Sequence, residues 1–434
     1  IWSRLVGSEM CIRDRHNAGR LGKDLWTDGE DGDPIKLYAG FNEQDEARFI
    51  VEQIQSWTDE GNPRKSSAIL YRSNAQSRVI EEALIRVGLP YRIYGGQRFY
   101  ERLEIRNALA YMRLIIGRGD DPALERIINT PTRGIGSKTV DDLRAIAREN
   151  NVSMWQAIGL AQQNGLLGSR ARSSLAGFAA LINELDSETV ELPLEEMVEH
   201  VIHRTGLIEF HKAEKGERGQ ARVENLEELV SAAKTFRAED DSLSPLQQFL
   251  DSAALDAGDS QADPYEDSVQ MMTLHSAKGL EFPLVILAGL EENLFPHRMS
   301  VEEPGRLEEE RRLAYVGITR AQQRLLITYA ESRRLHGSET YNTPSRFVRE
   351  IPADLIEEVR LHGGLTRPLA DRLQQPVAAS NESGLSLGQR VTHPMFGEGM
   401  VLNIEGRGAN ARIEVNFAEG SKWLVLQYAN LQAL

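Results

Sequence analysis

The stretch LHSAKGLEF, residues 274–282, sets a serine, a lysine and a glycine beside apolar residues, the composition of a phosphate-binding loop. Such a loop needs the order G-x-x-x-x-G-K-S/T, because its glycines let backbone N–H groups wrap the phosphates while the lysine after them reaches the terminal ones. Here Lys278 precedes Gly279, so the order is wrong. A second imitation, RGIGSKT at 133–139, puts Ser137 between Gly136 and Lys138, and no strand pattern leads into it. LVILAGLEEN mimics an acidic metal-binding strand end, but Glu291 and Glu292 fall two residues past the expected strand. The sequence holds no complete triphosphate site. Its single cysteine, Cys11, makes neither an internal disulfide nor a cysteine–histidine zinc site, so no structural metal is expected and a reducing cytoplasm fits best.

The elements that must position these residues follow from periodicity. With 434 residues, the chain has room for about two or three domains. Between residues 35 and 100, IKLYAGF, SAILYRS and YRIYGG read as strands, alternating with the helical patterns EQDEARFIVEQIQSW and SRVIEEALIRVG. Strand and helix in repetition predict an α/β domain with a parallel sheet. From Leu103 to Ala257 strand signals nearly vanish and helical patterns such as LEIRNALAYMRLIIG, SKTVDDLRAIAREN and ARVENLEELVSAAKTFRA take over. Strands return at SVQMMTL, PLVILAGL and RLLITYA, which makes the helical block an insertion in one α/β domain. RPLADRLQQPVAASNESG reads as a linker, and the last fifty or so residues, with Ile413, Val415 and Phe417 alternating with polar neighbours, predict a small β-barrel.

The expected boundaries are a first part of the α/β domain at 16–100, the helical insertion at 101–260, the second part at 261–360, the linker at 361–384 and the barrel at 385–434. The longest apolar run, Phe282 to Leu290, is far short of the ~20 residues of a membrane span. A formal charge of -15 argues against a blanket nucleic-acid coat, yet leaves room for a local basic groove. Cationic clusters stand at Arg311, Arg312, Arg320 and Arg324, and at Arg333 and Arg334.

MMTLHSAKGLEFPLVILAG and EEERRLAYVGITRAQQRLLITYA together resemble motifs V and VI of the superfamily 1 helicases of the UvrD/Rep/PcrA group. The likeness extends through AILYRSNAQSR, YRIYGGQRFYERLEIRNALAYMRL, NTPTRGIG and GEGMVLNIEG, from about Gly19 onward. It implies an ATP- and Mg2+-dependent DNA repair motor, of the nucleotide excision and mismatch repair type, moving 3′ to 5′ on single-stranded DNA. In that family two RecA-like domains, 1A and 2A, each carry an insertion, 1B or 2B. The resemblance makes this chain 2A with helical 2B inserted, followed by a Tudor-like module, in a bacterial, nucleoid-associated cytoplasmic protein.

Carried over by motif position, Glu281 holds the nucleotide ribose, with Gly279 beside it, and Arg320 reaches the γ-phosphate as an arginine finger. A guanidinium suits that task because it presents fixed, always-charged donors to oxygens that gain charge. Arg72, Asn74, Thr273 and His275 face the DNA strand; Gly134, Ile135, Gly136 and Lys138 meet duplex phosphate at a single-strand/duplex junction. The hairpin after LLITYAESRRLHGSETY corresponds to a strand-separating pin, with His336 at its tip where close relatives have a larger aromatic. RNA polymerase and repair proteins are the partners implied for the barrel.

Blander readings compete. A satisfied core histidine competes with the preferred DNA contact for His275, and RGIG reads equally as an ordinary helix-connecting turn. Arg311 and Arg312 follow Glu308, Glu309 and Glu310 at spacings that favour salt links within one helix, so they are not assigned to a site. Trp423 and Phe396 read as barrel core. The family's phosphate loop and acidic metal motif belong to domain 1A, outside these motifs. IWSRLVGSEMCIRDR, residues 1–15, is expected to be a non-native leader on a truncated frame, and the chain by itself is expected to lack ATPase activity. The alternatives are a non-catalytic fragment that binds DNA and RNA polymerase, and a helicase–nuclease, which would need a carboxylate-rich domain after motif VI.

Overall fold

The computed structural model describes residues 33–214, 216–240, 242–258, 265–303, 305–335, 338–359, 390–393, 396–405, 412–417, 420–425, 429 and 431–433. The expected leader, the linker and His336 lie outside these described residues. The chain divides into two compact units between Val359 and Arg360.

In the first unit the β-rich runs form β1 (Ile35–Gly40), β2 (Ser67–Tyr71), β3 (Tyr91–Ile93), β4 (Val269–Thr273), β5 (Phe282–Leu287), β6 (Ala321–Ala330) and, later in the chain, β9 (Ile356–Val359). They make one seven-stranded sheet in the order β3-β4-β2-β5-β6-β1-β9, every pairing parallel. Side-chain alternation sends Ala68, Leu70, Met272, Val285 and Leu287 to one face and Ile69, Met271, Leu284 and Ile286 to the other. Both faces are buried, which is why these strands read as nearly continuous apolar runs. Helices α1 (Glu43–Asp59) and α2 (Ser77–Arg86) cover the second face through Phe49, Ile50, Ile54, Ile80 and Leu84.

Between β3 and β4 the chain is helical: α3 (Leu103–Ile116), α4 (Asp121–Ile127), α5 (Ser137–Asn150), α6 (Met154–Gln163), α7 (Ser169–Thr189), α8 (Leu194–Arg204), α9 (Leu207–Lys212), α10 (Glu217–Thr235) and α11 (Pro245–Gly258). These helices share a core of their own, with Leu124, Leu143, Phe178, Val201 and Leu226 at its centre. After β5 come α12 (Arg298–Glu302) and α13 (Arg306–Ile318), the latter packing Leu313, Ala314 and Ile318 on the first sheet face. The antiparallel hairpin β7 (Ser332–Leu335) and β8 (Ser338–Tyr341) follows β6, then α14 (Arg346–Arg349) leads to β9.

The second unit is a five-stranded antiparallel sheet: β10 (Arg390–His393), β11 (Gly397–Glu405), β12 (Arg412–Phe417), β13 (Gly420–Val425) and β14 (Gln432–Ala433), in the order β13-β12-β11-β10-β14. Val391, Val401, Ile413 and Val415 are its core, and partly buried Phe396 packs on them, stacked on His393 at 4.5 Å. No β13–β14 pairing closes the sheet among the described residues.

Candidate nucleotide and nucleic-acid site

Strand register places the motif residues at two opposite edges of the seven-stranded sheet. β5 and β6 start side by side, Phe282 opposite Ala321, and the residues just before them are Glu281 and Arg320. Both therefore sit at the amino edge. The Phe282 N–H donates to the Arg320 carbonyl at 2.9 Å. Arg320 sends Nη1 to the Leu280 carbonyl (2.7 Å), Nε to the Val316 carbonyl (3.0 Å) and Nη2 to Thr319 Oγ1 (2.9 Å). The last turn of α13 and the end of the KGLE segment thus hold the guanidinium by neutral acceptors alone.

That distinguishes Arg320 from its neighbours in sequence. Arg311 pairs with Glu308 and Glu350, Arg312 with Glu309 at 2.5 Å, and Arg324 with Asp33 and Glu60 at 3.2 and 2.7 Å. Among the described residues no carboxylate pairs with Arg320, so its charge is available to an anionic ligand. Glu281 is exposed and, among the described residues, accepts one long bond, from Gln322 Nε2 at 3.4 Å. Gly279 has φ +87°, a left-handed conformation that favours glycine, and it too is exposed.

At the carboxyl edge, β2 and β4 end together, Tyr71 opposite Thr273. Thr273 Oγ1 lies 3.1 Å from Ser276 Oγ, and His275 is exposed, so it is not a core histidine. Because Ser67 pairs with Leu284, Phe282 lies roughly six residue rows below Thr273, a distance of about 20 Å at ~3.3 Å per residue. The segment LHSAKGLE crosses the full depth of the sheet between its two ends.

Arg72 follows β2 directly, and its guanidinium is gripped by Glu310 of α13: Nε to both carboxylate oxygens at 3.0 Å, Nη2 to Oε1 at 2.6 Å. Glu310 also accepts from the His297 N–H and Ser300 Oγ. Burial pushes the Glu310 carboxyl up, but Arg72 and these hydrogen bonds outweigh it and hold it below its usual range. Asn74 opens a short 3-10 turn, and its carbonyl accepts from Arg102 Nη1 at 2.9 Å.

In the helical block, Gly134 (φ +74°), Gly136 and Lys138 are exposed at the start of α5, which has no side-chain N-cap. Ile135 differs: its side chain is buried, and its N–H donates to Asn129 Oδ1 at 3.2 Å. That amide is held inside the turn rather than offered to a phosphate.

Sequence reading missed the carboxylates that set this geometry. Glu310, Glu46 and Glu291 are buried among cations, and Glu224 of α10 accepts from Ser73 Oγ (2.6 Å) and contacts His297 Nε2 (3.1 Å). Glu291, singled out earlier as a false metal ligand, pairs with Arg333, and Glu292 with Arg346. Arg333 is accordingly buried and neutralised, not part of a basic groove. Among the described residues no group of three or more His, Cys, Asp or Glu side chains is placed to hold a metal ion, and none of their helices is long and apolar enough to cross a membrane.

An all-parallel sheet covered on both faces defines a mixed α/β protein and is consistent with a RecA-like domain. More narrowly, residues 5–332 match the UvrD-like helicase C-terminal domain, and the chain belongs to that family. It is 54% identical over 422 residues to DNA helicase II of Escherichia coli, covering 96% of this chain and 59% of that protein. Identity is 53% over 424 residues to DNA helicase II of Haemophilus influenzae, covering 96% and 58%. Against the ATP-dependent DNA helicase PcrA of Bacillus subtilis it is 38% over 441 residues, covering 96% and 59%. The chain thus spans about three-fifths of the length of the curated relatives it matches.

Proposed function

We propose that the chain supplies the 2A–2B half of an ATP-dependent DNA helicase that translocates 3′ to 5′ on single-stranded DNA. The observation that carries this reading is the amino edge, where Arg320, bonded among the described residues only to neutral acceptors, and Glu281 stand side by side at the starts of adjacent strands. Arg320 would reach the γ-phosphate and Glu281 the ribose of an ATP whose phosphates and Mg2+ are held by a partner RecA-like domain. When bound, that nucleotide supplies the phosphoryl bond whose cleavage drives the motor. The chain's own part is to place a preorganised cation where charge develops.

The helices between β3 and β4 would be domain 2B, meeting duplex phosphate through Gly134, Gly136 and Lys138. Thr273, His275 and Asn74 would contact the single strand, and Arg72 would join them only by leaving Glu310. The β7–β8 hairpin would be the strand-separating pin, with His336 at its tip. The five-stranded unit would be the Tudor-like module, the docking point for RNA polymerase or repair proteins. The motif resemblance carries the further reading of a DNA repair role in the bacterial cytoplasm.

Adding a separately expressed amino-terminal half from such a relative and measuring DNA-stimulated ATP hydrolysis tests the proposal. Activity should appear only with both halves present and be lost with Arg320→Ala. Activity of the wild-type mixture that R320A leaves unchanged would refute the assignment.

A further inference from the structure

The β7–β8 hairpin is rooted in a buried cluster of three charges drawn from three parts of the chain. Arg333 of β7 sends Nε to Glu291 Oε1 at 2.6 Å and Nη2 to Glu291 Oε2 at 3.2 Å, and its Nη2 also bonds Glu46 Oε2 of α1. All three side chains are less than one-tenth exposed. The carboxylates are otherwise satisfied. Glu46 Oε1 accepts from the Gly289 N–H (2.8 Å) and Thr328 Oγ1 (2.6 Å), while Glu291 accepts from the Ala330 N–H (2.8 Å) and Asn342 Nδ2 (3.3 Å). Burial alone disfavours the cation; Glu291 and Glu46 reverse that and hold the Arg333 pKa well above its ordinary value.

Backbone bonds fix the root, and farther along β7 the Arg334 N–H donates to Glu43 Oε2 of α1 at 3.4 Å. The Glu331 and Ser332 N–H groups donate to the Gly40 and Phe41 carbonyls at 2.8 and 3.0 Å, both at one end of β7. A two-stranded hairpin with four residues per strand has no core of its own, and of its strands β7 lies against α1 and α10. A planar guanidinium locked between two carboxylates adds a directional restraint, since its fork fixes orientation in a way that a point charge or an apolar contact does not. Such buried ionic clusters contribute little net stability.

We infer that Arg333 is a positioning residue: with Glu46 and Glu291 it sets the angle at which the β7–β8 hairpin leaves the carboxyl edge and so presents the hairpin to the first base pair of a fork. This rests on the reading of the hairpin as a pin.

The test uses the whole chain, with Arg333→Lys, which keeps the charge and loses the fork, and the triple variant Glu46→Gln, Arg333→Met, Glu291→Gln, which removes all three charges at similar volume. Amide exchange is followed at 332–341 and at β2, and a forked DNA carries 2-aminopurine in its terminal base pair. In either variant, hairpin amides should exchange about tenfold faster while β2 stays protected. The fluorescence rise on fork binding should be lost, with affinity for a single-stranded oligonucleotide retained. If R333K also loses protection in β2, the triple variant decides. Unchanged hairpin exchange overturns the seat, and faster exchange with an intact fork signal overturns the positioning role. A wild-type chain that binds the fork without a fluorescence rise refutes the pin reading, while exchange still decides the seat.

Discussion

The two edges of the seven-stranded sheet handle their arginines in opposite ways. At the carboxyl edge Arg72 and Arg333 are locked on Glu310, Glu46 and Glu291, deep among acceptors that are themselves saturated. At the amino edge Arg320 is oriented by three neutral oxygens and keeps its charge uncompensated among the described residues. A neutralised arginine builds the frame; an oriented, uncompensated one is preorganised for an anion. The same distinction separates Arg320 from Arg311, Arg312 and Arg324, which composition alone does not tell apart.

The sharpest way to break this comparison is to remove one arginine or its partner from each edge. With the amino-terminal half of a relative supplied, Arg320→Ala should lower DNA-stimulated ATP hydrolysis by ~10³-fold or more, while the denaturant midpoint of the chain stays nearly unchanged. Glu310→Ala should do the reverse in stability: it leaves Arg72 half-buried without its carboxylate, at a cost of about 3–5 kcal/mol, read from urea unfolding. A large stability loss in R320A, or none in E310A, would erase the distinction between the edges.

Acid should act on the carboxyl edge in a definite direction. The Glu310 carboxyl is held below its usual 4.5 in the folded chain, so its contribution is complete above that value and is lost as pH falls through the folded pKa. Unfolding midpoints measured downward from pH 5 should therefore decline, and Glu310→Gln should remove part of the slope. Glu224, also held low by His297 and Ser73 against its burial, and Glu292, held low by Arg346, keep other parts of it. Glu228 works the other way: burial raises its carboxyl more than Arg78 lowers it, so its contribution improves as pH falls.

The two edges also differ in how far the sequence reveals them. β2, β4, β5 and β6, and the helices with clear 3.6-residue patterns, were legible because burial on both faces or on one stripe writes itself into local periodicity. Arg320 and Glu281 were legible because each sits within a long motif. α4, α6, α9, α11 and β9 were not anticipated: they are short or weakly patterned, although Asp120 before Pro122 and the Ser153–Gln156 capping box mark two of the helix starts. The ion pairs of the carboxyl edge leave no local trace at all. Arg72 meets Glu310 across 238 positions and Arg333 meets Glu46 across 287, so only the register of the folded sheet brings them together. Ile135 illustrates the same limit, since nothing in RGIG announces that Asn129 takes its amide.

The smallest expected effect compares a glycine at each edge. Gly279 (φ +87°) and Gly289 (φ +73°) both occupy the left-handed region, where a Cβ costs roughly 1–2 kcal/mol. Around Gly279 a Cβ meets nothing within 4 Å, so Gly279→Ala should cost about that backbone term alone, read as a small shift in the unfolding midpoint. At Gly289 the same methyl would run into Gln76 Nε2 and Leu294 Cδ2 beside the N–H that Glu46 accepts. Gly289→Ala should therefore add an overpacking cost of about 1–3 kcal/mol and loosen the seat of the hairpin. Equal costs at the two sites would mean that the amino edge is packed as tightly as the carboxyl edge. The crossing segment LHSAKGLE would then lack the open end at which Gly279 turns the chain toward Glu281, and nucleotide binding there would have to displace protein contacts rather than fill an exposed edge.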